Sequence, residues 1–273
     1  MLWRSTRVNT ELPDFVRLER DDVVALLRKR QVLFSSVQQV ERTRDAAGLL
    51  ILGRHDGTLT CAEVSLLTES VRLWPAPSRR VYGGEGGRFY AWLDPTGDTV
   101  IFPSGETIAL PRFAKFNIDP GGTYFVIGEK RTGTWLGEHG SPGRRQLLSG
   151  DLLATEVFAD GQRIFVCGNA YRTNGVTGEI TSAARCLVAQ RSGASFRVVE
   201  KHDLPWAAGV VDKHPREDLL LVQGRGDYFG RDLFSYDMKT RRRTRLGPSE
   251  AFCFFGPPSH PLSTNRLGVP SRD

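Results

Sequence analysis

The densest group of chemistry-bearing side chains is Lys239-Thr240-Arg241-Arg242-Arg243-Thr244-Arg245, which follows the apolar stretch Leu233-Phe234-Ser235-Tyr236-Asp237. Guanidinium groups pair bidentately with phosphates and carboxylates, so such a run suits an anionic partner. In an extended strand, alternation places Arg241, Arg243 and Arg245 on one face and Arg242 on the other. The same residues equally suit a solvated outer strand whose positive charge discourages edge pairing. No aromatic is interleaved among them, so stacking on single-stranded nucleic acid is not indicated. Arg28-Lys29-Arg30 forms a second basic group. Trp206 after Pro205, and Tyr228-Phe229 in a glycine-rich loop, are aromatic anchors of the kind found in interfaces, or they fold back onto the domain.

Residue types that perform catalysis are scattered. His55, His139, His202, His214 and His260 form no HxH, HxxxH or HExxH pair. No GxSxG occurs. Gly224-Arg225-Gly226-Asp227-Tyr228-Phe229-Gly230 matches GxGxxG only superficially, because no helix follows to present its N-terminus to a phosphate. Gly83–Gly87 lacks the Lys-Ser/Thr of a phosphate-binding loop. Carboxylates recur at expected turns, at Asp94, Asp98, Asp119, Asp160 and Asp212. They read either as a ring of acids in a central channel or, the better reading, as turn residues bonding nearby backbone N–H groups. No cofactor and no resident metal is expected. Cys61, Cys167, Cys186 and Cys253 are too far apart for a CxxC pair or a zinc site. Two of them lie in apolar strand patterns, and buried free thiols in a reducing cytoplasm are the expectation.

The elements that must position these residues are strands. Phe89-Tyr90-Ala91-Trp92-Leu93 enters the turn Asp94-Pro95-Thr96-Gly97-Asp98 and leaves as Thr99-Val100-Ile101-Phe102. Lys115–Ile118 enters Asp119-Pro120-Gly121-Gly122 and leaves as Thr123–Ile127. Glu156-Val157-Phe158 enters Ala159-Asp160-Gly161-Gln162 and leaves as Arg163–Cys167. Looser copies stand at Asp45–Gly48 and His214–Glu217. A recurring strand–turn–strand unit means radial or solenoidal repetition. Leu49-Leu50-Ile51-Leu52 reads as a strand buried on both faces, and His55-Asp56-Gly57 as a hairpin turn. With the strands at 37–42, 58–64 and 70–74, these make one four-stranded blade. Further units follow at about 88–112, 113–148, 153–204 and 207–246, and a sixth begins at Ala251–Phe255.

These strand–turn–strand repeats resemble those of WD40-like and TolB-like β-propellers. The resemblance covers residues 33–255 and is strongest at Asp94–Phe102, Asp119–Ile127 and Phe158–Val166. It departs from the WD40 pattern in having no Trp-Asp at a strand end and no Gly-His at a strand start. The turns recur at uneven spacings of about 50, 25, 40 and 54 residues. The implied fold is an all-β propeller of five to six short, irregular blades with an N-terminal helix over about 13–31, where apolar residues recur at three and four and Pro13 suits the first turn. The expected domains are an extension at 1–31, the propeller at 32–256 and a polar, Pro-containing tail at 257–273. A closing strand from Leu2–Val8 beside the sixth unit would hide the ring's edges.

The 273 residues suffice for one such domain, with 29 glycines and 15 prolines for its turns. The net charge of +6 permits an acidic partner without demanding one. No apolar run is long enough to span a bilayer and no signal peptide is evident, so a cytoplasmic protein is expected. The resemblance implies partner binding, hence a non-enzymatic scaffold in a multiprotein complex. An AAA+ ATPase of the MoxR type with a von Willebrand A-type protein is one partner class compatible with it. The alternatives are a lactonase-like hydrolase, with a divalent metal held in the funnel by acids and one Asn or His from different blades, and a nucleic-acid-associated protein binding through Arg241–Arg245.

Overall fold

The computed structural model describes residues 15–44, 47–130, 132–173, 180–225, 232–249 and 252–255. The described residues open with β1 (Phe15–Leu18) and α1 (Arg20–Lys29). Blade 1 is β2 (Phe34–Arg42), β3 (Gly48–His55), β4 (Thr58–Ser65) and β5 (Val71–Pro75). Blade 2 is β6 (Val81–Glu85), β7 (Arg88–Leu93), β8 (Thr99–Ile101) and β9 (Thr107–Ala109). Blade 3 is β10 (Lys115–Ile118), β11 (Tyr124–Glu129), β12 (Gly133–Glu138) and β13 (Arg145–Ser149). Blade 4 is β14 (Leu152–Asp160), β15 (Arg163–Thr173), β16 (Ile180–Ser192) and β17 (Ser195–Leu204). Blade 5 is β18 (Ala207–Lys213), β19 (Leu219–Gly224), β20 (Asp232–Asp237) and β21 (Arg243–Pro248). The last strand among the described residues, β22 (Phe252–Phe255), pairs antiparallel with β1.

Alternation of side chains builds the ring. Leu49 and Ile51 of β3 pack against α1 and Phe254, while Leu50 and Leu52 face Val81 and Phe89 of blade 2. In β15, Ile164 and Val166 face blade 3, and Phe165 and Cys167 face blade 5. Blades 2 and 3 share a cluster around Phe102, Phe116 and Phe125. Blade 5 meets the β1–β22 ribbon through Leu221, Leu233, Phe15 and Phe255. The second strands β3, β11, β15 and β19 are thus buried on both faces along their middle residues, and the apolar run at 49–52 follows from this.

The ring is a five-bladed propeller with the two-stranded ribbon filling the gap between blades 5 and 1. The closing strand is Phe15–Leu18, within the range expected as helix; α1 begins only at Arg20. Glu19 ends the strand, and its backbone N–H donates to Asp22 at 2.8 Å, one half of a capping box. Pro13 and Leu2–Val8 lie outside the described residues. α1 packs Val23 and Leu27 into blade 1, as an amphipathic covering helix should. No helix among the described residues is long and apolar enough to cross a membrane.

Two of the recurring turns, at Asp94 and Asp119, share one cause. Asp94 Oδ1 accepts the backbone N–H groups of Gly97, Asp98 and Thr99, each at 3.0 Å. Asp119 accepts those of Gly121 at 2.8 Å, Thr123 at 2.7 Å and Tyr124 at 2.5 Å. Gly97 and Gly122 stand at φ 81° and 67°, where a side chain would be strained. Asp160 and Asp212 behave otherwise. Asp160 pairs with Arg163 at 2.6 Å and Lys213 at 3.3 Å, and Asp212 is not a turn residue but lies within β18.

Blade 2 also differs from expectation. Its inner strand starts at Val81, so the glycine-rich stretch is the end of β6 and the hairpin into β7. Thr107–Ala109 is its fourth strand.

Candidate functional site

Two places carry chemistry: the outer edge of blade 5 and the central channel. At the edge, Asp237 starts the turn between β20 and β21. Its Oδ1 accepts the N–H groups of Lys239 at 2.8 Å and Thr240 at 3.0 Å, and its own N–H donates to the Arg242 carbonyl at 2.9 Å. Arg241 and Arg242 therefore lie in the connection, with Arg241 at φ 57°, and only Arg243 and Arg245 stand on the strand. The expected split of faces, with Arg241 beside Arg243, gives way to a cationic turn leading into a cationic strand. All five residues from Arg241 to Arg245 are exposed.

Arg243 and Arg245 lie opposite Tyr236 and Phe234 in the pairing with β20. The Arg243 guanidinium lies 4.8 Å from the Trp206 ring centre and 5.8 Å from that of Phe234, and the two rings meet edge-on at 5.3 Å. Cation–π contacts of this kind contribute about 0.5–1 kcal/mol at exposed sites and favour this placement of the guanidinium. Arg245 forms a two-pronged pair with Asp232 at 2.9 and 3.1 Å. The structure thus joins Trp206 to the arginine run, which distance in sequence concealed.

Other expected contact residues separate. Arg28 and Lys29 are exposed at the end of α1. Arg30 is committed to holding the helix on blade 1: its Nη2 donates to the carbonyls of Ser65 at 3.1 Å and Thr68 at 3.2 Å. Tyr228 and Phe229 lie outside the described residues.

The channel is a cavity of about 530 Å³ bordered by the inner strands of all five blades and by β22. Glu41, Asn117, Glu156 and Asp212 reach it from four blades. Glu41 accepts the Gly83 N–H at 2.9 Å and is bonded by the Gln39 amide. Burial pushes the Glu41 carboxyl above its ordinary value. The Asn117 amide donates to Glu156 at 2.7 Å and to the Thr155 carbonyl at 2.9 Å. Burial, then repulsion from Glu41 and Asp212, pushes Glu156 up to about 8, so it holds its proton at neutral pH. Asp212 accepts Arg42 Nε at 2.7 and 2.8 Å and the Phe255 N–H at 2.8 Å, which ties blade 5 to both blade 1 and the ribbon.

Acids from separate blades do converge, as a metal funnel would need, but protein partners engage them. The Asn117 Oδ1 is taken by the Ile118 N–H at 2.8 Å, Glu156 favours its neutral form, and Asp212 is ion-paired with Arg42. Among the described residues no group of three or more His, Cys, Asp and Glu side chains could hold a metal. Glu41 and Glu156 were not singled out from the sequence. Their signal is a carboxylate next to apolar residues in a strand leading to a repeat turn, as in Val40-Glu41 and Glu156-Val157.

No family model matches the chain. No curated protein matches it either. Among solved structures, it is similar to TolB from Acinetobacter baumannii at 11% identity and a TM-score of 0.46, covering 80% of this chain and 56% of that one. It is also similar to the WD40 domain of Neurospora crassa Pan2, at 8% identity and 0.44, covering 87% and 73%. Prolyl endopeptidases match at 11% and 0.40, covering 78% of this chain and 42% of theirs. The chain thus spans about half the length of the TolB and peptidase chains. These are likenesses of fold, and the propeller itself is established by the chain's own five sheets.

Proposed function

We propose that this protein is a non-enzymatic β-propeller interaction module that docks an acidic protein surface on the outer edge of blade 5. The observation that carries the reading is the exposed run Arg241–Arg245, a cationic turn leading into an edge strand, with the Arg243 guanidinium over the Trp206 and Phe234 rings. A guanidinium already resting on an aromatic ring loses less freedom on pairing with a carboxylate than one free in solvent. A rigid propeller presents such an edge without rearrangement. A scaffold within a multiprotein complex is the cellular role this surface suits, and a MoxR-type AAA+ ATPase with its von Willebrand A-type protein is the first bait to try.

The test compares capture by the intact protein with capture by the double variant Arg242→Glu, Arg243→Glu. A stoichiometric partner is expected, with its affinity reduced roughly tenfold or more in the variant and falling with salt. Equal capture by both would overturn the docking site. Binding of a duplex DNA probe with a steep salt dependence, lost in the same variant, would instead favour the nucleic-acid reading. A metal-dependent hydrolase would melt later with added calcium, magnesium or manganese; the bonding of the channel acids predicts an unchanged midpoint.

A further inference from the structure

Blade 4 carries a pair of thiols that nothing in the docking reading uses. Cys167 of β15 and Cys186 of β16 lie directly opposite each other in the strand pairing. Their sulfur atoms are 2.7 Å apart, and both residues are fully buried. Directly opposed residues in antiparallel strands hold their Cβ atoms about 4.5–5.5 Å apart, and a disulfide needs about 3.5–4.5 Å, so the strands have about 1 Å left to close. Little backbone movement is therefore required to bridge them. The row continues on both sides. Glu156 of β14 lies opposite Cys167, and His202 of β17 lies opposite Cys186. Phe165, Val188 and Tyr236 pack in the same cluster, so the sulfurs sit between blades 4 and 5.

The geometry points to Cys167 and Cys186 as a disulfide site, closed by a small-molecule disulfide such as oxidised glutathione as blade 4 folds. One cysteine thiolate attacks the glutathione disulfide, and the glutathione thiolate leaves and takes up a proton. The second cysteine thiolate then attacks the mixed disulfide and expels the second glutathione. Two thiols and one glutathione disulfide become one protein disulfide and two glutathione thiols. Burial pushes the Cys167 thiol well up, so thiolate is scarce once the blade has packed. The bond thus forms while the β15–β16 hairpin is still accessible, or during local opening. It staples the two longest strands of the propeller, of 11 and 13 residues.

The experiment is thiol counting on the intact chain. The protein is held with oxidised glutathione at a temperature just below its melting midpoint and quenched in acid. It is then alkylated in denaturant and mapped by mass spectrometry. The expected result is a loss of two alkylatable thiols relative to the reduced protein, with a peptide link joining Cys167 to Cys186. Dithiothreitol reverses it, and the oxidised form melts at a higher temperature. Cys61→Ala leaves the link intact, whereas Cys186→Ala abolishes it. An unchanged thiol count, or a dominant link between any other pair, would overturn the assignment.

Discussion

Glu156 carries the clearest residue-scale consequence. Its carboxyl moves from 4.5 to about 8 on folding, through burial and then the charges of Glu41 and Asp212. A raised carboxylate pKa makes its contribution fully present below the unfolded value. That contribution is lost as pH rises through the folded value. Glu156→Gln keeps an acceptor for Asn117 and cannot ionise. The variant should therefore gain stability over the parent progressively between pH 4.5 and about 8, read as a widening gap in melting midpoint. Asp212 makes the opposite case. Its side chain is 4% exposed and that of Arg42 is 7% exposed, so Asp212→Ala strands a buried cation. Such a loss costs about 3–5 kcal/mol, measurable by urea unfolding. Asp94 and Asp119 were legible as turn residues because a short acid before Pro and Gly has one local use. Glu41 and Glu156 were not. A carboxylate in an alternating strand reads as solvent-facing until the ring turns that face into a channel.

At the scale of elements, the N-terminal segment shows how burial overrides local pattern. Phe15, Val16 and Leu18 share spacings with α1, and the sequence alone reads them into one helix. The unpaired edge of β22 draws Phe15–Leu18 into a ladder instead, with Phe15 opposite Phe255. Phe15 is 3% exposed, and Phe15→Ala should cost about 3–5 kcal/mol. Leu67, 64% exposed, is the control: Leu67→Ser should shift stability by no more than about 0.5 kcal/mol. The arginine run was legible as an outer strand, since alternating Arg and Thr leave no apolar face to bury. The turn that takes Arg241 and Arg242 off the strand depends on Asp237, and the placement of Arg243 over Trp206 depends on tertiary packing.

For the whole molecule, the repeat signal revealed the propeller, and the ring's irregularity obscured its count. Blade 2 uses three-residue strands at β8 and β9, whereas β16 of blade 4 has 13 residues, so the turns recur at no fixed period. The sixth position takes one strand from each end of the chain, which no repeat search along the sequence can assemble. Closure through β1, β22 and the Arg42–Asp212–Phe255 link leaves the outer strands as the exposed edges, and blade 5 offers the cationic one. The central claim is that a partner sits on that edge. Cross-linking mass spectrometry of the native complex with a lysine-reactive reagent tests it directly, because Lys239 marks the turn before β21, Lys29 marks α1 and Lys115 marks the inner strand of blade 3. Partner cross-links concentrated at Lys239 are predicted. Cross-links at Lys29 or Lys115 with none at Lys239, or a chain that stays monomeric with no partner, would contradict the account.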